Sequence, residues 1–166
     1  MGYTSQTAGI ILIASPVVQA AFSPIMGKLS DQRSPQIISA FGMVLCSISL
    51  FFYGFLTEVT PLWLILVALA VTGVGFAMFS SPNTNAVMTS TKRRDYGVAS
   101  SVLATMRSIG HTSSMAVVTI VVGLYMGAES LTNAPVPRLF QTMHTCFFLF
   151  GGLCILGFFI ALKRKV

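Results

Sequence analysis

Apolar residues run in long blocks along this chain, and polar residues gather between them. Five blocks, at residues 8–26, 37–57, 62–80, 98–126 and 143–162, are close to or above the length of about 20 residues that a helix needs to cross the hydrocarbon core of a bilayer. The connecting pieces, 27–36, 58–61, 81–97 and 127–142, are too short to hold a soluble domain. The pattern predicts an all-α membrane protein of five transmembrane helices. The third helix is expected to continue, bent at Pro82, to about Ser90, which leaves 27–36 and 91–97 as the loops on one side.

Polar residues inside the blocks mark helices that belong to a bundle. The stretch "TGVGFAMFSSPNTNAVMTST" holds Gly73 and Gly75, which allow close packing, then Pro82 with Asn83 and Asn85 beside it. A proline at membrane depth frees a backbone carbonyl, which neighbouring helices, polar side chains or water must satisfy. The first block carries Pro16, Gln19 and Pro24. In the fourth, Ser100, Ala104, Arg107, His111 and Ser114 recur at steps of four and three and fall on one helical stripe, which is expected to face protein or water. Arg107 stands nine residues beyond Val98, ~14 Å along the axis.

Two readings stand for these residues. Arg107 can snorkel to the interface and His111 can be satisfied by a neighbouring helix, or both can line a translocation path, since an ionisable group at membrane depth is costly unless it faces a cavity or partner. Asn83 and Asn85 can make packing hydrogen bonds or touch substrate; Gln19 leans to packing but is kept with the path candidates. His111 is not expected to be the main proton carrier. His144 is read as an interfacial residue opening the last helix, and the phenylalanines of "FFLFGGLCILGFF" as core or lipid-facing filler.

Composition agrees with this pattern. Of 166 residues 54% are hydrophobic and 8% charged, against roughly a quarter charged in an ordinary soluble domain. The net charge of +6 therefore records loop placement and does not point to nucleic acid. Lys28, Arg33, Lys92, Arg93, Arg94, Lys163, Arg164 and Lys165 fall on one side of the five spans, whereas Arg138, Glu58 and Glu129 fall on the other. The basic side is retained in the cytoplasm, so the N-terminus is expected outside and the C-terminus inside a cell membrane. Cys46, Cys146 and Cys154 lie in apolar stretches without metal-ligand spacing and are read as packing residues. "MGYTSQ" shows neither a signal-peptide pattern nor a myristoylation pattern. No nucleophile and base stand at usable spacing and no acids pair within a span, so an enzyme is not expected.

Three stretches, "GIILIASPVVQAAFSPIMGKLSD", "GVGFAMFSSPNTNAVM" and "RRDYGVASSVLATMRSIGHTSSMAV", together about half the chain, resemble the C-terminal part of a major facilitator superfamily transporter, in its fourteen-helix drug:proton antiporter branch. The family's loop motif, Gly-x-Leu-x-Asp-Arg-x-Gly-Arg-Arg, is matched at Gly27, Leu29 and Asp31. It is departed from at Gln32, Ser34, Pro35 and Gln36, with Arg33 as a displaced positive charge.

The resemblance implies the last five helices of the transporter fold, completed by an N-terminal half that this chain lacks. It implies a proton-driven exporter of amphipathic, often cationic compounds that works by alternating access with no cofactor. Its partners would be the lipid bilayer, that N-terminal half, a small-molecule substrate and protons. Gly27, Leu29, Asp31 and Arg33 would form a gating loop that latches the halves on the cytoplasmic side. Asp31 is expected to accept the unpaired amide hydrogens at the start of the second helix. A bland reading stands beside it, a basic loop that only fixes topology. All four acids, Asp31, Glu58, Asp95 and Glu129, fall in loops or at their edges, so the coupling acid is expected elsewhere. The other reading of the whole chain is a small non-transporting membrane protein or an inactive fragment of a transporter.

Overall fold

The computed structural model describes residues 5–32, 34–57, 60–126 and 136–163. Five long helices make up the described fold: α1 (Ser5–Gln32), α2 (Pro35–Gly54), α3 (Leu62–Thr89), α4 (Tyr96–Met126) and α5 (Val136–Lys163), with a 3-10 turn at Arg93–Asp95 before α4. There is no strand among the described residues. At ~1.5 Å per residue the shortest helix, α2 with 20 residues, is ~30 Å long, and all five are long and apolar enough to cross a membrane.

The helix ends differ from the expected spans in ways local chemistry explains. α1 continues through Lys28, Leu29, Ser30 and Asp31 to Gln32, because none of these residues interrupts the backbone ladder merely by being polar. The expected loop at 27–36 is therefore mostly helix. The break comes from Pro35, whose ring disfavours helical backbone at the preceding residue: Ser34 has ψ 117°. Pro35 then opens α2 in the first-turn position it suits. Likewise α5 begins at Val136, so His144 lies two turns inside a helix instead of at its start.

α3 is the centre of the bundle. It packs along α1 on one side and α2 on the other; α2 packs in turn on α5, and α4 rests against α5 and the edge of α3. Contact register shows the direction of each helix. Gly73 lies against Ser15 and Val18, and Gly27 against Ser81, so α1 and α3 run parallel. α2 runs antiparallel to both of its neighbours, with Gly42 on the Met78–Phe79 peptide and Ser47 donating to the Gly151 carbonyl at 2.9 Å.

Small residues set these spacings. A Cβ on Gly42 would come within 2.7 Å of the Phe79 nitrogen and 2.8 Å of the Gly75 carbonyl, and one on Gly75 within 2.8 Å of Cys46 Sγ. Gly42 thus seats α2 on the part of α3 that Pro82 weakens, since a proline at 82 cannot bond to the Met78 carbonyl. Tyr53 and Thr72 hydroxyls meet at 2.9 Å across the same pair, while the Thr72 hydroxyl donates to Ala68. Between α2 and α5 the contact is aromatic: Phe148 stands edge-on to Phe55 at 5.4 Å and tilted to Phe51 at 5.6 Å, so part of the phenylalanine-rich run is core. Cys46 is buried, Cys146 and Cys154 are half-buried, and all three are free.

Most large apolar side chains point outward, among them Ile10, Phe41, Trp63 and Leu156. In water such a surface would be strongly unfavourable, and in lipid it costs nothing. α4 is the extreme case, exposed on nearly every side, with Leu124 79% exposed and Val121 its single buried residue among those described.

Candidate functional site

Two polar arrangements stand out in this apolar bundle. The first joins the last turn of α1 to α3. The Asn85 amide donates to Ser30 Oγ at 2.9 Å and to Asp31 Oδ1 at 2.7 Å, and Ser30 Oγ donates to the Gly27 carbonyl at 2.7 Å. The parallel register explains it: Gly27 faces Ser81, and one helical turn on, Asp31 faces Asn85.

This corrects one expectation. Asp31 does not cap α2, whose start at Ser34 has no side-chain capping bond. Because α1 continues past Gly27, the Asp31 carboxylate projects from a helical turn toward α3 and takes its hydrogen bond there. Leu29 is exposed on the same turn, and Arg33 lies outside the described residues.

The second arrangement is a cavity of about 590 Å³ between α1, α3 and α4. Gln19 of α1, Ser80 and Asn83 of α3, and Arg107 and His111 of α4 line it, with Phe76 and Phe79 as its aromatic wall. Four of the five residues singled out as path candidates thus come together. The fifth, Asn85, is two residues from Asn83, about 200° around the helix, and its amide is taken up at the end of α1.

Along the stripe on α4, Arg107 and His111 face this cavity, while Ser114 lines a neighbouring apolar cleft of about 490 Å³ that shares Phe76 and Phe79. The stripe's serines do not demand a polar surrounding. Ser100 donates to the Gly97 carbonyl at 3.0 Å and Ser114 to that of His111 at 2.8 Å, so each hydroxyl is satisfied within its own helix. The polarity that has to be accounted for is that of Arg107 and His111. Arg107 lies eleven residues beyond Tyr96, ~16 Å into α4. Among the described residues it has no ion-pair partner; the Asp95 carboxylate meets Arg94 at 3.6 Å, before α4 begins. No cluster that could hold a metal ion occurs among the described residues.

Sequence reading did not anticipate Ser80, Phe76 or Phe79 in the cavity, nor the Asn85 to Asp31 bond. The bond had a signal in the equal four-residue spacing of Gly27 and Asp31 on one helix and Ser81 and Asn85 on the other.

The sequence profile of the Major Facilitator Superfamily matches residues 1–165. The chain belongs to that superfamily. Among curated relatives, the chain is 31% identical over 102 residues to riboflavin transporter RibZ of Clostridioides difficile (strain 630), covering 61% of this chain and 22% of that protein. It is 28% identical over 127 residues to multidrug resistance protein Stp of Mycobacterium tuberculosis (strain H37Rv), covering 76% and 24%. It is also 26% identical over 129 residues to the uncharacterized transporter YebQ of Escherichia coli (strain K12), covering 75% and 27%. This major facilitator chain therefore spans about a quarter of the length of the curated relatives it matches. No solved structure matches it.

Proposed function

We propose that this chain is the C-terminal five-helix part of a secondary active transporter of the fourteen-helix drug:proton antiporter branch. It carries small amphipathic organic compounds out of the cell by alternating access. The observation that carries this reading is the cavity in which Gln19, Asn83, Arg107 and His111 converge from three helices of an otherwise lipid-adapted bundle. Polar groups at membrane depth on facing helices are what a substrate path requires. The names of two relatives, a riboflavin transporter and a multidrug resistance protein, support a small organic cargo.

In this reading Lys28, Lys92, Arg93 and Arg94, which cluster at one end of the parallel helices α1 and α3, stand in the cytoplasm, and the N-terminus lies outside. Gly27, Leu29, Asp31 and Arg33 form the cytoplasmic latch, with Asp31 held by Asn85 until the partner half engages it. Neither described acid, Asp31 or Asp95, lines the cavity, so proton coupling falls to a carboxylate in the N-terminal half.

Efflux from cells producing the longest reading frame that contains this chain tests the reading. Cells loaded with fluorescent dyes of either charge are expected to lose at least one of them faster than control cells. Arg107→Gln together with His111→Ala should lower that rate at least fivefold. Efflux unchanged by the double substitution overturns the path assignment, and efflux by the 166-residue chain alone overturns the need for a partner half.

A further inference from the structure

We propose that the cavity between α1, α3 and α4 selects planar aromatic compounds that carry a negative charge, and disfavours cations of the same shape. This rests on the reading of that cavity as the substrate path. Among the described residues lining the cavity, Arg107 alone carries a fixed charge, and no described carboxylate reaches it. Asp31 is twelve residues from Gln19 along α1, and Asp95 is twelve residues before Arg107, so each lies ~18 Å away along its helix. Each also has its own partner, Asn85 in one case and Arg94 in the other.

A guanidinium offers five N–H donors and accepts nothing, so neutral oxygens from Gln19, Ser80 and Asn83 can meet its donors but cannot offset its charge. An anion that enters gains what the cavity lacks, through the paired hydrogen bonds a guanidinium makes with carboxylate-like groups. A cation entering the same space meets a like charge with no described acid nearby to compensate.

The remaining lining supplies shape. Phe76 and Phe79 line the cavity, and aromatic side chains are surfaces on which a flat ring system can stack. The amides of Gln19 and Asn83 each offer both donors and acceptors, enough to orient a polar edge of such a ring. The volume of about 590 Å³ is in the range that holds a ligand of two to four fused rings.

Fluorescein and rhodamine 123 separate charge from shape, since they share one xanthene ring system and carry opposite net charge at neutral pH. Their binding to the full chain, purified in a nonionic detergent, is read by fluorescence anisotropy. Fluorescein should bind at least tenfold more tightly than rhodamine 123. Arg107→Gln should weaken fluorescein at least tenfold and leave rhodamine 123 unchanged or tighter, and Arg107→Lys should keep most of the preference. Arg94→Gln, which removes a basic group at the bundle end, should change neither constant. The wild-type preference is read without any variant, so it decides even if Arg107→Gln does not fold. Rhodamine 123 bound as tightly as fluorescein, fluorescein binding indifferent to Arg107→Gln, or no binding of either dye overturns the proposal. Arg107-dependent efflux that prefers the cation removes the charge assignment and leaves transport standing; anion binding without efflux does the reverse.

Discussion

Asn85 has two amide hydrogens and uses both, one on the Ser30 hydroxyl and one on the Asp31 carboxylate. This fixes the last turn of α1 against α3 at the end of the bundle where the basic residues gather. Since Asp31 is exposed, the pair contributes little net stability, about 1 kcal/mol once water competes for the same groups. The consequence for substitution depends on charge as well as on the lost bond. Asn85→Ala is expected to lower the thermal midpoint of the purified chain slightly. Asn85→Asp should lower it further at neutral pH, because it sets a second carboxylate where the first finds its donor. Thermal melts followed by circular dichroism at 222 nm and neutral pH read both. Equal midpoints for the two variants at neutral pH would show that the carboxylate is not held there.

At the scale of helices, close packing rests on a few positions without side chains. A methyl group at Gly42 has no room between α2 and α3, whereas at Gly123 on α4 nothing stands within 4 Å. Gly42→Ala is therefore expected to destabilise by about 1–3 kcal/mol through separation of the helices. Gly123→Ala should be neutral or stabilising by up to about 1 kcal/mol through helix propensity. Thermal unfolding in detergent distinguishes them, and equal effects would contradict the packing described.

The same helices show what can be read from sequence. Five helices were legible because each apolar block reaches the length a bilayer demands. The end of α1 was not, since charge at Lys28 and Asp31 suggested a loop while the backbone had no reason to stop before Pro35. Gln19, Asn83, Asn85, Arg107 and His111 stood out as candidates because polarity is conspicuous among apolar neighbours, and the structure brings four of the five, all but Asn85, to one cavity. The different positions of Asn83 and Asn85 were hidden, since nothing in their shared residue type says which side of α3 meets α1.

For the molecule as a whole, the most telling feature is the exposure of α4. α4 brings Arg107 and His111 to the cavity, yet it touches its neighbours little and leaves Met106 and Met115 uncovered. Under the proposed function, helices of the partner half close this side. In that reading the cavity is half of a substrate path, with one wall built here. The most direct test is protection of a single cysteine in a background carrying Cys46→Ala, Cys146→Ala and Cys154→Ala. A cysteine replacing Asn83 should react with a water-soluble maleimide and be slowed at least fivefold by fluorescein, whereas one replacing Asn85 should react at a rate the dye does not alter. Protection at position 85, or none at position 83, would contradict the account.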